Sequence, residues 1–215
     1  DILQKLVTKA DVVVQNLAPG AAARLGLGYE DLSKANPGVI VCNISGYGKG
    51  GPDEKRKAYD LLIQSEAGFV STTGTPDDPS KAGISIADIA AGMYAYTNIL
   101  AALIQRGKTG KGCEIDLSML DAMTEWMSYP LYYAYEGAEP PARAGASHAT
   151  IFPYGPFAVG DGRTVILGLQ NEREWKAFCD VVLETPGLAT DGRFSSNSLR
   201  AENKIALTQI ITTSF

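Results

Sequence analysis

From Ile89 to Gln105 the chain carries no charged residue, and Asp88 stands immediately before that run. An apolar stretch of this length has to leave water, and its alanines, leucines and isoleucines at helical spacing make it a helix. Gly92, Tyr94, Tyr96 and Asn98 interrupt it, and Gly107 and Gly110 close it. It is too short and too polar for a membrane span, so a buried core helix from Asp88 to Arg106 is expected, and no membrane partner.

A buried helix needs a sheet to pack against, and the flanking sequence offers strands. Asp11 to Gln15 and Val39 to Ile44 are β-branched runs that read as buried strands, and Glu114 to Leu117 reads as a third. Between them lie a helical turn at Ala21–Leu25, a short helix at Tyr29–Ala35 stopped by Pro37, and a helix at Tyr59–Glu66 stopped by Gly68. Ser71 to Gly83 reads as loop, and Leu120 to Tyr135 as one helix. Strands alternating with helices predict an α/β fold with a parallel sheet. Gly137 to Gly145 is rich in Pro, Gly and Ala and marks a domain boundary. Beyond it, Pro156–Val159 and Thr164–Leu169 form a hairpin around Gly160-Asp-Gly162, followed by a helix from Asn171 to Leu183. The expected division is a large domain over residues 1–137, a linker over 138–150 and the start of a smaller α+β domain over 151–215.

The chain starts at Asp1 and ends in an apolar run, so it reads as a fragment. Its net charge is −5 with scattered basic residues, which argues against a nucleic-acid partner. Cys42, Cys113 and Cys179 are far apart and odd in number, with no CxxC, and His148 is the only histidine. This is a poor ligand set for zinc, so no metal is expected, and unpaired thiols suit the cytoplasm.

Gly46-Tyr-Gly48-Lys-Gly-Gly51 matches the dinucleotide fingerprint GxGxxG and follows a strand. That motif works when its last glycine opens a helix facing a pyrophosphate. Here the charged run Pro52-Asp-Glu-Lys-Arg-Lys57 follows, with no apolar period, so a mobile glycine loop is expected and no nicotinamide or flavin cofactor. Asp88 is a charge where none is expected. At a helix start a carboxylate is favoured by free N–H groups and the macrodipole, so an N-cap explains it. A nucleophile held ionised beside a water-poor cleft explains it too. Arg24 and Lys57 are candidates to pair with phosphates at two helix N-termini.

Six blocks decide between these readings. Asn16-Leu-Ala-Pro-Gly20 with Arg24-Leu-Gly-Leu-Gly28, Ser45-Gly-Tyr-Gly48, Lys57-Ala-Tyr59, Thr73-Gly74, Ala87-Asp88-Ile-Ala-Ala-Gly92 and Thr109-Gly-Lys-Gly112 resemble, in order and spacing, the CaiB/BaiF family of class III coenzyme A transferases. The match runs from about Ala10 to Asp121 and more loosely to Leu183.

The resemblance implies a Rossmann-like large domain plus a smaller one, in an interlocked homodimer. It makes Asp88 the nucleophile that carries the acyl group, with Tyr59 at the active site. It assigns Asn16, Leu17, Arg24, Lys57, Ala58 and Asp60 to coenzyme A binding. Acyl-CoA and small carboxylates are the implied substrates, and backbone N–H groups of a glycine loop the oxyanion donors. The family's racemases carry a histidine where this chain has Tyr59, and a transferase is therefore expected over a racemase. Arg143 to His148 with Ile151-Phe-Pro-Tyr154 resembles the branch acting on dicarboxylates, making Arg143 or His148 a candidate for the distal carboxylate.

Overall fold

The structure is a computed structural model and describes residues 2–215. The chain divides into two units. One takes in the chain up to Ser71 together with Ser80–Ala138, the other Thr72–Pro79 and Glu139–Phe215.

The first unit begins with α1 (Ile2–Val7), β1 (Val12–Gln15), α2 (Ala21–Arg24), α3 (Tyr29–Ala35) and β2 (Ile40–Ser45). It continues through α4 (Asp60–Glu66), α5 (Phe69–Thr72, its last residue counted with the second unit), α6 (Ile86–Thr109), β3 (Glu114–Ser118), α7 (Met119–Trp126) and α8 (Ser128–Tyr133). The strands form a parallel sheet in the order β1-β2-β3, with Val13 opposite Val41 and Cys42 opposite Ile115. Alternation sends Val39 and Val41 to one face, where Val7 and Leu32 cover them, and Cys42 to the other, against Ala91, Ala95 and Leu117. A central strand covered on both faces is apolar where the cover is complete, and Val39 to Cys42 are fully buried.

The long helix behaves differently from the expectation of a buried one. Its alanines, Ala87, Ala90, Ala91, Ala95 and Ala102, face inward, where small side chains let it lie close on the sheet. Ile89, Met93, Tyr96, Leu100 and Ile104 form an exposed apolar stripe on the other side. By length and composition this helix would pass for a membrane span, but it packs on β2 and β3. The single helix expected over 120–135 is broken at Met127. Pro130 has no N–H to give to Trp126 and so cannot continue α7.

The second unit holds the hairpin β4 (Tyr154–Ala158) and β5 (Thr164–Gly168), then α9 (Glu172–Ala177), a π-helical turn at Phe178–Val182, α10 (Asn197–Glu202) and α11 (Lys204–Ser214). Its core is Phe157, Trp175, Phe178, Phe194, Leu207 and Ile211 with their neighbours. Arg200 is buried there at 1% exposure. Its charge is matched by Glu172 at 2.6 Å, and it donates to the Phe152 and Phe194 carbonyls, as a buried cation requires.

Two boundaries depart from the sequence reading. Thr72–Pro79 belongs with the second unit, because Arg143 donates to the Thr75 and Pro76 carbonyls and Gly145 N–H to the Gly74 carbonyl. Residues 138–150 are accordingly not a free tether: from Glu139 onward they are part of that unit.

Candidate active site

Parallel strands point the same way, so their C-terminal ends share one edge, where ligands of open α/β sheets bind. Gln15, Ser45 and Ser118 end the three strands. Above that edge lies a cleft of about 740 Å³. It brings together Asn16, Leu17, Lys57, Ala58, Tyr59, Asp60 and Asp88, seven of the eight residues of this unit that the sequence singled out. The eighth, Arg24, is not in its wall. It closes α2, at the helix C-terminus and not the N-terminus, and its guanidinium folds back over Gly20. The expected pair of phosphate-binding helix N-termini is therefore not formed.

A second cavity of about 290 Å³ shares Leu17, Ala18, Pro19, Ile44 and Ser45 with the cleft. Its floor crosses the three strands. Gln15 Nε2 donates to Asn43 Oδ1 at 2.9 Å, and Asn43 Nδ2 donates to Glu114 Oε1 at 2.7 Å. The Gln15 Oε1 atom accepts the Leu17 N–H at 2.8 Å and so fixes the turn leaving β1. Sequence reasoning missed Gln15 and Asn43, although a polar residue within each of two otherwise apolar strands was the available signal. With Glu30, Asp31, Glu54, Glu114 and Asp116 against Lys49 in its wall, this cavity repels phosphate. The cleft carries Arg56 and Lys57 instead. Arg56 is already committed to Asp53 and Glu66 and lies over the Tyr47 ring. Lys57 has no ion-pair partner among the described residues, and its charge is available.

The glycine loop is explained by packing. Gly46 lets Ala58 pass over it, and Gly48 sits at φ 74° with Ser118 close by. Residues 52–59 follow without a helix, and α4 starts only at Asp60, so no helix N-terminus is offered to a pyrophosphate.

Asp88 lies in the first turn of α6, and Ser85 is the capping position, without a side-chain bond. The free N–H groups that were expected to favour Asp88 go to Asp60. Asp60 Oδ1 accepts from Ala87 N–H at 2.8 Å and from Asp88 N–H at 3.4 Å. Asp60, expected to contact coenzyme A, thus spends Oδ1 on the helix, and its Oδ2 accepts from Gln64 at 2.6 Å. The Asp88 carboxylate itself has no hydrogen-bond partner among the described residues. Partial burial, then the charge of Asp60, pushes its pKa above the usual carboxylate value of 3.8. Such a side chain is exposed enough to reach a substrate and lacks the bonds that would quench its nucleophilicity. Tyr59, 69% exposed, caps the start of α4 on the same cleft wall.

Arg143 and His148 line a separate cavity of about 520 Å³ within the second unit. Arg143 Nε and Nη2 are held by the Thr75 and Pro76 carbonyls. His148 stacks on Tyr154, and its Nδ1 accepts the Thr150 and Ile151 N–H groups, which leaves Nε2 as the donor of the neutral ring. Among the described residues no group of three His, Cys, Asp or Glu side chains could hold a metal.

The model of CoA-transferase family III matches residues 1–215. The chain is 35% identical over 215 residues to succinyl-CoA:glutarate CoA-transferase of Homo sapiens, covering 100% of this chain and 49% of that protein. It is 38% identical over 208 residues to acetyl-CoA:oxalate CoA-transferase of Acetobacter aceti, covering 96% and 53%. A solved CaiB/BaiF family protein from Brucella suis superposes with a TM-score of 0.83 at 37% identity, over 99% of this chain and 56% of that one. The chain spans about half the length of the curated relatives it matches. With residues 1–215 of this chain matched by the family's model, and with a fold shared with a CaiB/BaiF protein, the chain belongs to CoA-transferase family III.

Proposed function

We propose that the protein moves coenzyme A from an acyl-CoA to a small dicarboxylic acid, with Asp88 as the covalent carrier. The observation that carries this reading is an Asp88 carboxylate that has no side-chain partner among the described residues, in a cleft that also holds Lys57, whose cation has no ion-pair partner among them. The relatives named above use succinyl-CoA with glutarate and acetyl-CoA with oxalate, which supports a dicarboxylate as the acceptor.

In this reading Asp88 attacks the thioester carbonyl and expels CoA thiolate, giving a mixed anhydride. The thiolate attacks the aspartyl carbonyl and releases the donor carboxylate, leaving an aspartyl-CoA thioester. The acceptor carboxylate attacks that thioester, expelling the thiolate again. The thiolate then takes the new acyl group and frees Asp88. Each step exchanges one acyl–oxygen or acyl–sulfur bond for another, so no redox change is involved. Lys57 holds the phosphates of coenzyme A beside Asn16 and Leu17, and Tyr59 lines the acyl end. Removal of an α-proton would need a second acid/base in the cleft. Tyr59 stands there, and the single histidine lies in the other unit.

The test is to incubate the intact protein with succinyl-CoA and a panel of mono- and dicarboxylates in deuterated water, and to follow products by mass spectrometry. CoA exchange onto dicarboxylates without deuterium at the α-carbon is the expected result. Deuterium uptake without exchange would replace this reading with a racemase.

A further inference from the structure

Gln64 is a polar side chain at 0% exposure on α4, and the reaction above gives it no role. Its amide has one allowed orientation. Nε2 faces the Asp60 Oδ2 atom at 2.6 Å, which can only accept, and Oε1 faces the Ala82 N–H at 2.9 Å, which can only donate. A flipped amide would oppose oxygen to carboxylate and N–H to N–H. Gln64 thereby fixes Asp60, whose other oxygen binds the Ala87 and Asp88 N–H groups. Through Ala82 it also ties down the segment that leads into α6. An uncapped helix start frays, and Asp88 sits within that first turn.

We propose that Gln64 and Asp60 are positioning residues for Asp88, joined in one hydrogen-bonded chain that holds the first turn of α6 against α4. The proposal rests on the reading of Asp88 as the nucleophile. It also accounts for the spacing of Asp60 and Gln64, four residues apart on one face of α4, where their side chains meet. The Asp60 charge beside Asp88 works in the same direction as burial, raising its proton affinity.

The chain of donors and acceptors can be reversed. Asp60→Asn alone sets an N–H against another donor, whichever way the amide turns. Gln64→Glu alone sets two carboxylates face to face. Together, the Asn amide donates to the Glu carboxylate, which still accepts from Ala82, while the Asn oxygen still accepts from Ala87 and Asp88. In the intact protein each single variant should lower kcat by at least about tenfold, because a nucleophile displaced by a fraction of an ångström loses its alignment. KM for acyl-CoA should hold within about twofold, and the double variant should recover most of the rate. With the charge moved one link from Asp88, the acid limb of the double variant's kcat–pH profile should lie at lower pH than the wild type's. A scaffold role alone would leave that limb in place. A double variant no better than the worse single one, an unmoved limb, or single variants that turn over as wild type would overturn the proposal. Normal turnover by Asp88→Asn, measured alongside, would overturn both the nucleophile and its positioning. A dead Asp88→Asn with wild-type-like Asp60 and Gln64 variants would overturn the positioning alone.

Discussion

A Cβ built on Gly46 would fall 2.1 Å from the Cβ of Ala58. The strand end and the Lys57–Tyr59 loop therefore touch at a point that admits no side chain. Gly46→Ala must push that loop, and overpacking of this kind costs about 1–3 kcal/mol. Since Lys57 and Tyr59 flank Ala58, the expected result is a folded protein with coenzyme A affinity and turnover each reduced by about tenfold. Gly51→Ala, in open space on the same loop, should behave as wild type. Calorimetry and steady-state kinetics on the two variants check this, with circular dichroism to confirm folding.

The raised pKa of Asp88 has a sign that stability measurements can read. A carboxyl group whose folded pKa lies above its unfolded value favours folding at low pH. That contribution is lost as pH rises from 3.8 through the raised value, so at neutral pH the ionised side chain opposes folding. Asp88→Asn should then melt at or above the wild-type temperature at pH 7, with the difference gone below pH 3.8. Asp60→Ala, which removes the acceptor of three N–H groups, should lose about 1–3 kcal/mol. Thermal melts across pH separate the two carboxylates.

What the sequence revealed followed the range of the forces involved. Ile40–Ser45 was readable as a strand because burial on both faces favours consecutive apolar residues, while Val12–Gln15 was readable from its β-branched run although it is an edge strand with Val14 exposed and not the buried strand expected. The start of α6 was readable because Asp88 interrupts an apolar run. The blocks at Asn16–Gly20, Ser45–Gly48, Lys57–Tyr59 and Ala87–Gly92 pointed to one cleft because strand ends and helix starts alternate along the chain. Contacts between distant segments left no such trace. The tie from Arg143 to Thr75, the reach of Asp60 to Ala87 and the Gln15–Asn43–Glu114 network each join segments far apart in the chain. The NxxPG turn locates the backbone but not the direction of the long Arg24 side chain, which lies outside the cleft wall. The break at Met127 is written in Pro130, whose missing N–H outweighs the apolar period.

Lys57 and Arg24 separate two placements of the nucleotide. A charge-assisted contact to phosphate contributes roughly 1.5–3 kcal/mol, or about tenfold to a hundredfold in affinity. Lys57→Ala should weaken coenzyme A binding by that factor, less so at high salt because the side chain is exposed. Arg24→Ala, outside the cleft wall, should have the smaller effect. Calorimetric titration at two salt concentrations gives the order, and the reverse order would move the nucleotide to the neighbouring cavity beside Gly20.

In the proposed reaction Asp88 becomes acylated. The direct measurement is to mix the intact protein with succinyl-CoA, add hydroxylamine, and map the modified peptide by mass spectrometry. The expected result is a hydroxamate on the Asp88 side chain, absent without succinyl-CoA, together with loss of transfer by several orders of magnitude in a folded Asp88→Asn variant. A hydroxamate on another carboxylate, or near-normal transfer by Asp88→Asn, would contradict it.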